Sequence, residues 1–254
     1  MDEKDIKVQS LHKSLKVLEC FSANSPELGV TEISNMLGIY KSNVHNILTT
    51  FEALGYILKN PQTLKYSLSN KMLEYSYVIT SQLNYQNVVY QVMKRLTESV
   101  NEMSYFGVPH GKYVLYMFNA YPKLYDNNYP IRSIMGEKAE LYCTSIGKAM
   151  LLTMQKEEIL TRLPQERTQY TENTLIETKD ILKDIEESAK RGYAIDNSEH
   201  EEGLRCVGVP VIDRNHKLLG GLSISGSARK FTDKKIEGFA KELMDAAFEI
   251  RSRL

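Results

Sequence analysis

The chain has 254 residues, enough for two domains, with 42% apolar and 25% charged residues and a formal net charge of zero, the make-up of an ordinary soluble globular protein. Its three cysteines, an odd number with no CxxC pair, argue for a reducing compartment and against a disulfide scaffold or a zinc finger. The opening Met1-Asp2-Glu3-Lys4-Asp5 does not read as a signal peptide and no apolar run reaches membrane-spanning length, so the expectation is a cytoplasmic protein without a membrane partner.

The periodicity predicts a first helix over residues 9–21, with Leu11, Leu15, Leu18 and Phe21 on one face and Ser10 as its cap. Thr31 precedes a short apolar-periodic segment, Ile33, Met36 and Leu37, that stops at Gly38. Another follows with Val44, Ile47, Leu48, Phe51 and Leu54 at helical spacing, and it stops at Gly55. Two strand-like runs, 56–59 and 64–68, are joined across Asn60-Pro61-Gln62-Thr63. Helix, tight turn, helix and hairpin is the order of a winged helix-turn-helix, whose second helix enters the DNA major groove while the hairpin lies along the backbone. Residues 1–69 are therefore expected to bind double-stranded DNA.

On that second helix the apolar stripe turns Lys41, Ser42, Asn43, His45, Asn46 and Thr49 outward, short hydrogen-bonding groups suited to base edges and phosphates. Thr31 on the preceding helix and Lys59 and Lys65 on the hairpin complete the DNA-facing set. An amphipathic helix with a plain polar solvent face is the other reading of the same pattern. The charge is weak for such a role, since residues 1–70 hold as many acids as lysines and arginine first appears at Arg95. Phosphate neutralisation supplies most nucleic-acid affinity, so one copy should bind weakly and two or more should be needed on one DNA.

Ser69 is placed to cap a linker helix within residues 70–84, with Met72, Tyr75, Ile79 and Leu83 on one side. That stripe packs either on a second copy of itself or on the chain's own second domain. A helix is predicted over 86–101, and then a hairpin, 103–108 with 113–119, around the turn Pro109-His110-Gly111-Lys112. Tyr121 to Tyr129 reads as a loop. Helices are predicted near 145–154, 156–163 and 178–191, strands at 193–195, 206–212 and 218–225, and a last helix from Thr232 to the end with Ile236, Phe239, Leu243, Ala247 and Ile250 inward. Helices around a mostly antiparallel sheet make residues 85–254 an α+β domain.

Three segments carry a resemblance: Glu140-Leu-Tyr-Cys-Thr-Ser-Ile-Gly-Lys-Ala149, Arg191-Gly-Tyr-Ala-Ile-Asp-Asn-Ser-Glu-His-Glu-Glu-Gly-Leu-Arg-Cys-Val-Gly-Val-Pro210, and Gly221-Leu-Ser-Ile-Ser-Gly-Ser227. With the first domain in front, the chain from about Val8 to Arg251 closely resembles the IclR-type (isocitrate-lyase-regulator-like) bacterial transcription factors. The resemblance implies an N-terminal winged helix-turn-helix, a GAF-like α+β effector-binding domain, and homodimers that pair on DNA as tetramers. The chain departs from the family pattern at Tyr40, where Pro is usual, at Asn46, where a DNA-facing Arg is usual, and at Glu140-Leu141-Tyr142-Cys143-Thr144 in place of Pro-Leu-His-Ala-Thr.

The same resemblance places a small-molecule effector among Leu141, Cys143, Thr144, Ser145 and Ile146 on one side and Asp196, Leu204, Cys206, Ser223 and Ser225 on the other. The residues make chemical sense there. A helix opening at Thr144–Ile146 offers unpaired N–H groups to an anion, and Ser223 and Ser225 alternate along a strand and so share a face. Asp196 accepts hydrogen bonds from ligand hydroxyls and repels a carboxylate. Together they point to a small hydroxy or keto acid held acid-end to the helix. Ser145 serves equally as a helix cap, Ser223 and Ser225 as backbone partners, and Cys206 as a buried thiol.

No nucleophile elbow, P-loop or zinc-ligand spacing is present, so neither a cofactor nor a metal is expected and no catalytic residue is assigned. Glu199, Glu201 and Glu202 read as a solvated turn and His200 as a surface or supporting residue. The function that follows is a DNA-binding regulator, a repressor of a catabolic operon controlled by an organic acid, and not an enzyme. The alternatives are a small-molecule enzyme with an N-terminal oligomerisation module, and a ligand-free architectural DNA-binding protein.

Overall fold

The computed structural model describes residues 6–122 and 134–254, and the chain divides into two compact units, one up to Asn84 and one from Tyr85 onward. The loop expected at 121–129 lies outside the described residues except for Tyr121 and Pro122.

The first unit runs α1 (Gln9–Leu18), β1 (Glu27–Leu28), α2 (Val30–Leu37), α3 (Lys41–Ala53), β2 (Ile57–Lys59), β3 (Tyr66–Leu68) and α4 (Lys71–Ser81). Val17 from α1, Ile33 from α2, Val44 and Leu48 from α3, and Ile57 and Tyr66 from the hairpin close one buried core. Between α2 and α3 the chain turns sharply because Gly38 takes a left-handed φ of 65°, which costs a residue without Cβ little. The Ser34 hydroxyl donates to the Ile39 carbonyl at 2.6 Å and holds that turn.

Several local expectations shift. The α1 N-cap is Val8, and Ser10 lies inside the helix. Leu11 and Leu15 are 56% and 48% exposed, because this part of the chain meets the core only at the end of α1, through Val17 and Leu18, and just beyond it, through Cys20 and Phe21. Met36 and Leu54 are exposed as well. Thr31 lies in the first turn of α2, which is capped at Gly29, whose N–H donates to the Glu32 carboxylate at 2.7 Å. β1, which the sequence pattern does not reveal, adds to β3 and makes the sheet order β1-β3-β2. Ser69 stands one residue before the α4 N-cap, Asn70; its hydroxyl accepts from the Lys71 N–H at 3.1 Å and donates to the Gly55 carbonyl at 2.5 Å.

The second unit runs α5 (Gln86–Val100), β4 (Met103–His110), β5 (Tyr113–Ala120), β6 (Lys138–Glu140), α6 (Ser145–Leu151), α7 (Lys156–Arg162), α8 (Thr178–Arg191), β7 (Ala194–Asn197), β8 (Leu204–Ile212), β9 (Leu218–Ser227) and α9 (Asp233–Arg253). Its sheet has the order β6-β5-β4-β9-β8-β7 with every pair antiparallel, the α+β architecture expected. The short β6 is an addition to the predicted strands. The β4–β5 loop is only Gly111-Lys112, since His110 already pairs with Tyr113.

Helices α5 and α9 cover one face of this sheet. There the buried hydroxyls of Thr97 on α5 and Ser104 on β4 lie 2.6 Å apart, and Ile236, Ala240, Leu243, Ala246 and Ile250 are the buried residues of α9. Ala247, expected inward, is only half-buried. On the other face α6 lies directly on β8 and β9, at two glycines. A Cβ at Gly208 would come within 2.6 Å of the Ser145 carbonyl oxygen, and one at Gly221 within 2.8 Å of Ile146. That close approach sets where the N-terminus of α6 opens.

Candidate functional site

In the first unit, Lys41, Ser42, Asn43, His45, Asn46 and Thr49 all lie exposed along α3, and Thr31 lies exposed on α2. Val44 and Leu48 hold the opposite side of α3 in the core, so the polar row forms one outward face. Tyr40, at the N-cap of α3, is 82% exposed beside this row. The sequence reading treated it only as a departure from a pattern; its position just before Lys41 is the signal that adds it to the surface. The two hairpin lysines are not equivalent. Lys59 is exposed, its ammonium 5.4 Å from the centre of the Tyr66 ring. Lys65 pairs with Glu32 at 2.8 Å, and this bond with the Gly29 N–H keeps the Glu32 carboxyl below its usual range. Lys65 is thus already paired within the unit.

In the second unit a cavity of about 200 Å³ opens where the start of α6 meets the sheet. Thr144, Ser145 and Ile146 form one wall, and Asp196, Leu204, Cys206, Ser223 and Ser225 form another. Strand register explains the second wall. Asp196 on β7 pairs with Cys206 on β8, which pairs with Ser225 on β9, while Ser223 pairs with Tyr105 on β4. Side chains of partnered residues share a face of the sheet, so one row of polar groups lines the floor. Leu141 and Cys143 do not join it. Both are fully buried in the apolar cluster around Tyr142 and Met150, behind the cavity wall.

Six further lining residues escaped the sequence reading: Tyr105, Tyr116, Ile134, Glu137, His200 and Glu201. Tyr105 and Tyr116 meet edge to face, with ring centres 5.9 Å apart. Strand alternation about the Gly111 turn is a signal that the two share a face, but it does not say which face. His200 and Glu201 reach the cavity from the tight return between β7 and β8, where Glu201 and Glu202 are exposed as expected and only Glu199 is buried.

Hydrogen bonds fix most of these groups. The Thr144 hydroxyl accepts from the Gly147 N–H at 3.2 Å and donates to the Glu140 carbonyl at 2.7 Å. Thr144, and not Ser145, is therefore the cap of α6. The Cys206 thiol donates to the Ser225 hydroxyl at 3.1 Å, so Ser225 bonds a side chain as well as serving the strand. Burial pushes the Asp196 carboxyl up to about 7, against the N–H of Glu199, which donates to it at 2.7 Å. Burial likewise raises Cys206 and Tyr116 and lowers His200.

Beneath this floor sits an ionic cluster. Lys148 of α6 is 1% exposed, and its ammonium lies 2.6 Å from Glu199 and 2.8 Å from Asp184 of α8. Burial alone would lower this lysine, but the two carboxylates outweigh it and hold it above its ordinary range. Glu199, expected in water, is buried with its carbonyl accepting from the Thr174 hydroxyl at 2.6 Å. Its backbone bonds Asp196 and its side chain bonds Lys148, so it ties the cavity floor to α6 and α8. The signal was Lys148 itself, the one charge in the run 141–155.

Among the described residues no group of three His, Cys, Asp or Glu side chains is placed to hold a metal ion, and no helix is long and apolar enough to cross a membrane.

The family model for the C-terminal domain of IclR bacterial transcriptional regulators matches residues 78–252, and the IclR helix-turn-helix model matches residues 10–61. The HTH-type transcriptional regulator XynR of Escherichia coli is 27% identical over 248 residues, covering 97% of each chain. The transcriptional repressor IclR of the same organism is 25% identical over 248 residues, 96% of this chain and 89% of that one. Among solved structures, the Thermotoga maritima IclR superimposes with a TM-score of 0.70 at 29% identity, covering 97% of this chain and 98% of that one. The exposed polar face of α3, the two-unit architecture and these matches over nearly the whole length agree: this chain belongs to the IclR family of bacterial DNA-binding transcriptional regulators.

Proposed function

We propose that the protein represses a catabolic operon and that a small hydroxy or keto acid, bound in the cavity of the second unit, changes its hold on DNA. In this reading residues 1–69 read the operator, residues 70–84 pair two copies, and residues 85–254 sense the effector. The observation that carries the effector class is the cavity lining. The hydroxyl-bearing residues Tyr105, Tyr116, Ser145 and Ser223 line it together with Asp196, and among the described residues no Lys or Arg does. Such a site suits a ligand rich in hydroxyl or carbonyl groups with one carboxylate at most, the acid end at the N–H groups of Ser145 and Ile146. A catalytic use of Cys206 is disfavoured, because burial raises its thiol and so suppresses the thiolate.

Repression then works by coupling. Effector binding moves α6 against the sheet, biases how two copies sit, and so changes how two α3 helices match their half-sites. Couplings of this kind are typically worth ~1–3 kcal/mol, enough to change operator occupancy several-fold or more. The test is a footprint of the purified protein on the DNA upstream of its own gene and neighbouring operons, repeated across a panel of hydroxy and keto acids. Protection at low salt, steep loss with added salt and release by one monocarboxylic acid are expected. No footprint at low salt with any acid of the panel overturns the reading.

A further inference from the structure

The second unit contains a larger concavity, of about 500 Å³, that is separate from the effector cavity and shares no lining residue with it. Leu151, Leu152, Met154 and Ile159 from α6, α7 and the turn between them form its floor, and Leu182 and Ala189 of α8 form its far wall. Leu151 and Ile159 are buried in the core cluster, so the floor is backed by packed side chains and does not depend on loosely held ones. Lys156, Lys179 and Lys183 stand exposed on its rim, and no described carboxylate pairs with any of them. Lys179 and Lys183 are one helical turn apart and so lie on the same face of α8 as Leu182 and Glu186. Glu186, the one acid on the rim, is engaged by Lys190 at 3.0 Å.

An apolar trough with unpaired ammonium groups along its edge is complementary to one kind of small molecule, an apolar body with an anionic head. We propose that this trough is a second ligand site, for an amphipathic monocarboxylate such as a medium-chain fatty acid. The opposite rim chemistry separates it from the effector cavity, where acids and hydroxyls face the ligand and among the described residues no lysine does. A second copy of the chain is a poor occupant. Pairing about a two-fold axis sets a patch against itself, and here it would bring the lysine rim against its own copy.

The experiment titrates the full-length protein, with Ile, Leu, Val and Met methyl groups labelled, with octanoate and separately with octanol. Saturable shifts of the Leu151, Leu152, Met154 and Leu182 methyls are expected with octanoate. Replacing Lys156, Lys179 and Lys183 together by Ala touches only exposed side chains, so the protein should stay folded. It is expected to weaken octanoate by about fivefold or more while leaving octanol almost unchanged. A second variant, Ala189→Trp, fills the wall and is expected to abolish both sets of shifts. The proposal is overturned if octanoate gives no saturable shift at these methyls. It is overturned equally if the shifts centre on Ile134, Ile146 and Leu204 of the effector cavity, or if the triple variant binds octanoate as the original does, which would mean adsorption by apolar contact alone.

Discussion

Asp196 is the residue on which pH should act. Its carboxyl is raised to about 7 by burial, so between the ordinary carboxylate range and pH 7 the folded chain holds a proton that the unfolded chain has released. Stability from this group is full at low pH and lost as pH rises through about 7. Burial is the main cause of that value; the Glu199 carboxylate adds to the rise, while Lys148 and the backbone N–H groups of Glu199 and His200 oppose it. Asp196→Asn should flatten the fall in Tm between pH 5 and 8. For the same reason an anionic effector should bind more weakly above pH 7 in the original protein, and this dependence should vanish in the variant. Calorimetry across that pH range checks both. Lys148 makes the second residue-scale prediction. Lys148→Met leaves Glu199 and Asp184 facing each other without their cation, and breaking a buried pair from one side costs ~3–5 kcal/mol. Urea unfolding should show that loss, and adding Glu199→Gln and Asp184→Asn should recover much of it.

At the scale of elements, two contacts decide how each unit presents its surface. The first is α6 against β8. Gly208 admits the helix backbone, and a methyl there would lie 2.6 Å from the Ser145 carbonyl oxygen. Gly208→Ala should therefore push the N-terminus of α6 off the sheet, destabilise the second unit by ~1–3 kcal/mol, and blunt the effector response more than the stability loss accounts for. Parallel measurements of melting and effector-dependent DNA binding separate the two effects. The second contact is the wing against α2. Lys65 is held by Glu32 at 2.8 Å, so Glu32→Gln frees one cation on the hairpin. The expected outcome is tighter, sequence-independent DNA binding, with the plot of log affinity against log salt steeper by about one ion. An unchanged slope would mean that Lys65 does not reach a phosphate.

The whole molecule must compensate for a reader that carries no net charge over residues 1–70. In the proposed assembly, copies are joined partly through α4, which has no buried residue and exposes Leu73, Tyr77, Val78 and Ile79. Its first turns are pinned to the winged unit, where Tyr75 stacks on Tyr56 with ring centres 6.1 Å apart and Lys71 donates to the Leu54 carbonyl at 2.8 Å. Changing Leu73, Tyr77 and Ile79 together to Ser should lower the sedimenting mass and weaken operator binding by more than tenfold, because each half-site then binds alone. Much of this organisation is legible in the sequence. Apolar spacing at 3.6 and 2 residues, with stops at Gly38, Gly55 and Gly111, places the long helices and the hairpins, since each depends on neighbours a few residues away. The exposed row on α3 follows from the same spacing. Most of the cavity is legible too, through the family motifs at 140–149, 191–210 and 221–227. What only the tertiary structure decided are outcomes of long-range pairing. β1 is recruited by β3, Tyr105 is set beside Ser223 by the β4–β9 register and Tyr116 beside Gly107 by the β4–β5 register, and Leu141 and Cys143 are withdrawn behind the cavity wall. Glu199, a surface residue by its neighbours, is carried inside by a lysine 51 residues away. Local spacing fixes which face of an element is apolar, but a charge is buried only where the fold brings its partner, and no local pattern records that.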